Sequence, residues 1–326
     1  MEGERALEWV AERSAACRAR MADARFERDR DELRAALDRP DRIPLVTRRG
    51  GLLFNFWQDA AHPRGLWRRA TMAAFRTGDP EWEVLLDLDA LAAAENEDWV
   101  WKGAATLPPA HDRAVLSLSR GGGDAVVLRE YDLAARGFVD PVGEGGFALP
   151  EAKGGVDWID RDAVLLCSAI GEGMATDSGY ARTVRLWRRG GDPLAAPVLH
   201  ETTPDRMAVW AGVERATGRV AFVEQIGFFD SRVRIGDRNG PRTLLDLPTD
   251  AWVSWHGDWL AVRPRTPWTV NGTTHAPDTV LGIALSRFLD GARDFAVLFV
   301  PAERRAIQGF SWIAGRLLIS VLDDLR

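Results

Sequence analysis

The sequence predicts an all-β chain built as a β-propeller, incomplete at about five blades plus two strands and preceded by two α-helices. Three observations carry this. Short tryptophan-centred runs recur around Trp99 and Trp101, Trp158, Trp210, Trp252 and Trp255, and Trp312, roughly 45 to 57 residues apart. Each is followed by a polar or glycine-containing turn and then a stronger apolar run, as at 114–118, 163–167, 220–223, 259–262 and 317–321. The hydrophobic period also switches from helical to twofold after Pro40 and Pro44 and stays there. A period of this size means stacked modules, each with too little core to stand alone.

The elements follow in order. Leu7, Val10, Ser14, Cys17 and Met21 fall three or four residues apart, on one stripe of a first helix. A second helix is expected over 26–37, with Phe26, Leu33 and Leu37 on its apolar side. These make a helical segment, 1–40, ahead of a propeller over 43–326. Blade one is read at 52–57, 65–75 and 82–88, and blade two at 99–104, 114–119, 125–131 and a short piece near Phe138. Blade three takes 156–160, 163–169, 183–187 and 197–201. Blade four takes 207–213, 219–225, 232–236 and 243–247. Blade five takes 252–255, 259–263, 279–285 and 295–300. A sixth begins at Ile307 and supplies two strands. Propellers protect their sheet edges by closing the last blade on the first, so an exposed blade face and strand edge are expected at 317–322.

Composition sets limits. Fourteen Trp stand against two Tyr, and large aromatics suit the wedge between neighbouring blades. A net charge of −6 argues against nucleic acid or an anionic membrane as partner. No apolar run approaches a membrane span, and the charged N-terminus (Glu2, Glu4, Arg5, Glu8) has no signal-peptide core. Cys17 and Cys167 lie too far apart to read as a disulfide framework, so the expected location is the cytoplasm.

A nucleophile elbow needs Gly-x-Ser-x-Gly; the nearest approach is Gly309-Phe310-Ser311-Trp312-Ile313, where Ser311 falls in a strand repeat. His62, His111, His200, His256 and His275 sit in different blades without paired spacing, so neither a triad nor a metal site is expected, and no cofactor. Asp87 with Asp89, Asp160 with Asp162, and Asp323 with Asp324 flank strand ends, where carboxylates cap turns. The glycines of 119–124 separate two strands and read as a hairpin rather than a phosphate cradle. Asn271-Gly272-Thr273 is read as an incidental sequon. Two connections are longer than a hairpin needs: 171–180 and 264–278, the latter holding Trp268, Asn271 and His275.

Several strings then resemble the N-terminal half of the prolyl oligopeptidase family of serine peptidases. They are Glu-Gly-Glu-Arg-Ala-Leu-Glu-Trp-Val at 2–10, Pro-Arg-Gly-Leu-Trp-Arg-Arg at 63–69 and Ser-Leu-Ser-Arg-Gly-Gly-Gly-Asp-Ala at 117–125, with Arg-Glu-Tyr-Asp at 129–132. Phe-Ala-Leu-Pro-Glu-Ala-Lys at 147–153, Ser-Gly-Tyr-Ala-Arg at 178–182 and Leu-Trp-Arg-Arg-Gly at 186–190 extend the likeness over essentially the whole chain. The resemblance implies a seven-bladed propeller capping an α/β-hydrolase domain with a Ser-Asp-His triad that cuts short peptides, typically after proline. The propeller would restrict access. It further implies that a loop of blade three gates substrate or meets the catalytic domain, which singles out Met174, Thr176, Asp177, Ser178 and Tyr180. The family's N-terminal helices pack mainly on the hydrolase domain, so the apolar stripe is expected to lack its partner here. The short segment the family usually carries before the leading helix is missing, as are the last blades and the hydrolase domain after Arg326. This chain alone is therefore expected to be inactive, its missing partner being the hydrolase domain in cis. The alternative is a free-standing propeller that binds a peptide or protein without chemistry. A carbohydrate-active propeller is disfavoured, because the repeated Ser-x-Asp-x-Gly-x-Thr-Trp box is absent.

Overall fold

In the computed structural model, which describes residues 3–238 and 240–324, the helical period becomes α1 (Glu4–Met21) and α2 (Ala24–Leu37). Glu2 and Arg326 lie outside the described residues. Asp23 starts α2 by accepting from the amides of Arg25 (2.9 Å) and Phe26 (2.8 Å), two of the donors a helix start leaves unpaired. Neither helix has a buried residue among those described. The expected stripe is in place, but Leu7, Val10, Met21, Leu33 and Leu37 are each more than half exposed.

The chain divides into two compact units, Met1–Trp101 and Lys102–Arg326. In the first, β1 (Thr47–Arg49), β2 (Leu52–Trp57), β3 (Leu66–Thr71) and the later β4 (Glu83–Asp87) pair in sequence order as an antiparallel blade. The long second strand expected at 65–75 stops at Thr71. Its hydroxyl accepts from Ala74 N (3.1 Å) and opens a short helix, α3 (Met72–Phe75). Likewise Asp87 ends β4 and caps α4 (Leu88–Glu95), a run of good helix formers, through Ala90 N (3.0 Å). β5 (Trp99–Thr106) begins in this unit, where Trp101 stacks on Phe56 with ring centres 5.0 Å apart.

The second unit continues blade two with β6 (Arg113–Arg120), β7 (Val126–Asp132), a two-residue β8 (Gly137–Phe138) and β9 (Ala148–Ala152), which also pairs with β7. Blade three is β10 (Gly154–Asp160), β11 (Ala163–Ser168), β12 (Thr183–Arg188) and β13 (Val198–Glu201). Blade four is β14 (Ala208–Val213), β15 (Val220–Gln225), β16 (Ser231–Gly236) and β17 (Arg242–Leu244). Blade five opens with β18 (Trp252–His256) and β19 (Trp259–Arg263). A separate hairpin, β20 (Trp268–Val270) and β21 (Thr273–His275), follows. The blade resumes with β22 (Val280–Ala284), α5 (Leu285–Leu289) and β23 (Ala296–Phe299). The sixth sheet has two strands, β24 (Arg305–Ile313) and β25 (Arg316–Asp323). Five blades and a two-stranded sixth are what the tryptophan period predicts.

Period-two alternation explains how the blades stack. On β11, Val164 and Leu166 join Leu107, Val115, Phe147 and Trp158 in one core. Leu165 and Cys167, facing the other way, join Val184, Val209 and Phe222 in the next. On β15, Phe222 serves that second core while Ala221 joins Val233, Ile235, Leu260 and Val262 in a third. The second strand of a blade is thus apolar on both faces, because a blade lies against each. Gly154 permits the tight start of β10: its φ is +148°, and a Cβ there would meet Cys167 O at 2.2 Å. The sixth sheet differs, with Ile313 and Leu318 about half exposed, as are Val297, Leu298 and Val300 in the segment before it.

Candidate functional site

Four antiparallel strands force the chain to alternate ends, so the second-to-third connection of a blade and its link to the next blade emerge together. At that end of blades three to five lie residues 169–182, 226–230 and 264–279, with the links 202–207 and 245–251 between them.

The expected loop of blade three is here, and it is anchored. Met174 and Thr176 are buried. An isolated bridge pairs Ala175 with Ala181, and Thr176 N donates to Tyr180 O at 2.9 Å. The hydroxyls of Thr176 (2.9 Å) and Ser178 (2.6 Å) both donate to Met207 O, and Asp177 N donates to Pro204 O at 2.9 Å. Tyr180 turns toward blade two, donating its hydroxyl to Asp124 (2.9 Å) under Lys153 Nζ, 4.3 Å from the ring centre. The bond to Asp124 holds the Tyr180 phenol above its ordinary pKa. Of the five residues singled out, Asp177 and Ser178 face solvent and Tyr180 is half-buried, while Met174 and Thr176 fix the loop from beneath.

Beside this loop a concavity of about 740 Å³ opens between blades four and five. Its aromatic wall is Trp210 on β14, Trp252 on β18, and Phe228 with Phe229 at the tip between β15 and β16. All four are markedly solvent-exposed, with Phe228 at 79 %. Arg263 and Asp278 line it as an ion pair (2.6 Å), Asp250 accepts from the Thr266 hydroxyl (2.7 Å), and the Arg265 guanidinium lies 3.8 Å from the Phe229 ring centre. Trp210 also walls two adjoining hollows of about 300 and 310 Å³ that Tyr180 lines, so the loop and the concavity form one continuous face. Sequence reasoning missed Phe228, Phe229 and Arg265. Two adjacent phenylalanines at a hairpin tip, where turn chemistry favours polar residues, were the available signal.

The other candidates are structural. Ser311 sits within β24 opposite Leu318. Asp87 caps α4, Asp89 accepts from the amides of Arg64 and Gly65 (3.1 Å each), and Asp160 from Asp162 N (2.9 Å). Asp323 and Asp324 pair with Arg305 and Arg304. His62 lies against Asp59, His111 against the Thr106 hydroxyl, and His256 stacks on Trp312. Among the described residues no group of three or more His, Cys, Asp or Glu side chains could hold a metal ion. No helix among them is long and apolar enough to cross a membrane. The glycine run after β6 is the expected hairpin, with Gly121 and Gly122 at φ of 63° and 87°.

Residues 2–238 match the family model described as the N-terminal β-propeller domain of prolyl oligopeptidase. The chain is 31% identical over 338 residues to an uncharacterized peptidase of Sinorhizobium fredii, an alignment covering 100% of this chain and 46% of the relative. An uncharacterized peptidase of Rickettsia prowazekii is 23% identical, covering 99% and 47%. Among solved structures, a post-proline cleaving enzyme from Rickettsia typhi superposes with a TM-score of 0.88 at 24% identity, over 99% of this chain and 49% of that one. Oligopeptidase B from Leishmania major gives 0.68 at 14%, over 99% and 43%. These superpositions show a shared fold. The chain spans about half the length of the curated relatives it matches.

Proposed function

The chain belongs to the prolyl oligopeptidase family through its N-terminal β-propeller domain, and from that premise we propose that it is the access-controlling half of a peptidase acting on short peptides. The parent enzyme cleaves after proline, using a Ser-Asp-His triad on an α/β-hydrolase domain in the same polypeptide. Residues 1–40 and 43–326 divide the work: the helical segment holds the hydrolase domain, and the propeller filters what reaches it. Asp177, Ser178 and Tyr180 form the contact or gate on the loop end, carried by the buried Met174 and Thr176. The whole acts in the cytoplasm, without a cofactor, and this chain alone does not cleave.

The observation that carries this reading is the placement of exposed apolar surface. Groups of exposed apolar side chains lie on α1 and α2, on β23 and the sixth sheet, and around the aromatic concavity, besides single ones such as Ile43, Leu45 and Val142 in connecting segments. Contiguous apolar surface of this kind marks interfaces. The test is to express the chain alone and with the hydrolase half of a relative. Concentration-dependent association of the chain alone, relieved in a complex that cleaves a proline-containing peptide, is the expected result. A stable monomer that the hydrolase half neither binds nor activates would sink the proposal. That outcome would favour the second reading, a free-standing peptide- or protein-binding propeller, which the concavity also suits because its lining lies wholly within residues 210–278.

A further inference from the structure

We infer that the concavity between blades four and five seats the carboxy-terminal end of an oligopeptide. Arg265 pairs with the free α-carboxylate, and Phe229, Trp210 and Trp252 enclose the last apolar side chain. This deepens the peptide reading above and rests on it.

A hollow of about 740 Å³ is of the size that holds small ligands. Its chemistry is two-part. Exposed indole and phenyl faces line one wall, and such rings supply large contact area at little conformational cost. Its charged groups are not equivalent. Arg263 and Asp278 are committed to each other, with Nε at 2.8 Å and Nη2 at 2.6 Å from Oδ1. Asp250 accepts from the Thr266 hydroxyl and keeps its charge. Arg265 has no carboxylate in ion-pair range among the described residues and lies on the Phe229 ring.

A guanidinium laid on an aromatic face is positioned without being neutralised, and its planar fork matches a carboxylate through two parallel N–H···O bonds. Where the Phe229 wall carries this guanidinium, the pocket suits an anion attached to an apolar group. On a peptide that is the terminal residue with its free carboxylate. The backbone of a mid-chain segment offers only neutral amides to Arg265, and an internal Asp or Glu carries its carboxylate in place of an apolar side chain rather than beside one. The site therefore favours substrates whose end is near enough to reach it, which couples recognition to peptide length.

The experiment uses the chain itself and isothermal titration calorimetry with three probes. They are N-acetyl-alanyl-alanyl-phenylalanine, its C-terminal amide, and the same amide with a free amino terminus. The acid should bind about tenfold more tightly than the acetylated amide, as expected for one charge-assisted contact at an exposed site. That gap should shrink in about 0.5 M NaCl, where surface charges are screened. It should vanish in Arg265→Met, which keeps the stem on Phe229 while removing the charge. Trp252→Ala should weaken acid and amide alike. Equal binding of acid and amide would overturn the inference and leave the peptide reading standing; binding of none of the three would overturn both. A gap that survives in Arg265→Met, or a preference that follows the free amine, would assign the polarity elsewhere and also overturn it.

Discussion

Replacing Arg189 with Met tests whether blades two and three are clasped by a buried ion pair. Glu130, on β7, has a fully buried side chain and accepts from Arg189 Nη1 at 2.8 Å and Nη2 at 3.0 Å. Its other contacts are the Phe147 amide at 3.0 Å and Arg113 at 3.7 Å. Arg189 itself covers the Phe147 ring at 4.8 Å, a contact that the Met stem largely preserves. The variant thus removes the two charged hydrogen bonds to Glu130, together with those from Arg189 to Asp162 Oδ1 (3.1 Å) and to Arg161 O, and leaves a buried carboxylate with one amide and a distant guanidinium. Breaking a buried pair in this way costs about 3–5 kcal/mol, and the surviving Arg113 and Phe147 contacts place the expected loss near about 3 kcal/mol. Glu130→Gln in the same background removes the orphaned charge while keeping an acceptor for Phe147. The double variant should recover to within about 1 kcal/mol of the parent, so the coupling energy is at least about 2 kcal/mol, any cost of Glu130→Gln alone adding to it. Urea unfolding followed by tryptophan fluorescence at low protein concentration measures all four corners of the cycle. A loss below about 1 kcal/mol for Arg189→Met, or strict additivity in the cycle, would refute the argument.

Trp158 and Trp210 occupy the first strands of adjacent blades, yet their removal should differ sharply. Trp158→Ala empties a fully buried site and breaks a 2.7 Å bond to Ala105 O, costing about 3–5 kcal/mol, whereas the half-exposed Trp210→Ala should cost below about 1 kcal/mol in the same urea assay. Burial and the nearby Arg234 and Arg242 hold the His200 imidazole below its ordinary pKa, against the pull of Glu224. The folded chain therefore keeps His200 neutral where the unfolded chain takes up a proton, so its contribution is complete above about pH 6.5 and falls as pH drops below that value toward the folded-state pKa. His200→Gln should flatten the dependence of the urea midpoint between about pH 7.5 and 5.5, and an unchanged slope would count against this assignment. Burial pushes the Cys167 thiol up to about 12, while Cys17 is exposed. A thiol reagent should therefore label Cys17 in the native chain and Cys167 only on unfolding; labelling of both at once would contradict the packing of β11.

The blades were legible because their signals are local. A tryptophan run followed by a doubly apolar strand recurs wherever a first strand precedes a strand sandwiched between blades, as with Trp158 and residues 163–168. What escaped has identifiable causes. β1 is three exposed residues at a blade edge, with no buried face to impose alternation. α4 is an alanine-rich run that directly follows a strand, so its helical propensity competes with the period-two pattern before it. The hairpin at 268–275 turns on Asn271-Gly272, at φ of 49° and 74°, a pair that fits a sequon as well as the tight turn it favours. The aromatic concavity was out of reach for a different reason. Its wall joins residues from two strands and a hairpin tip, and its charges come from β19, the connection after it and the link between the blades, so only the stacking of blades four and five makes them neighbours.

The β20–β21 hairpin has a use of its own. It occupies the connection between β19 and β22 while those strands keep their register, Trp259 opposite Ala284 and Val262 opposite Leu281. Added length is therefore absorbed there without disturbing the sheet, whereas one residue inserted into β11 would exchange the side chains of two cores. Between residues 264 and 279 the scaffold offers a grafting port: replacing the hairpin tip with an epitope or a reporter should leave the blade assembled beneath it.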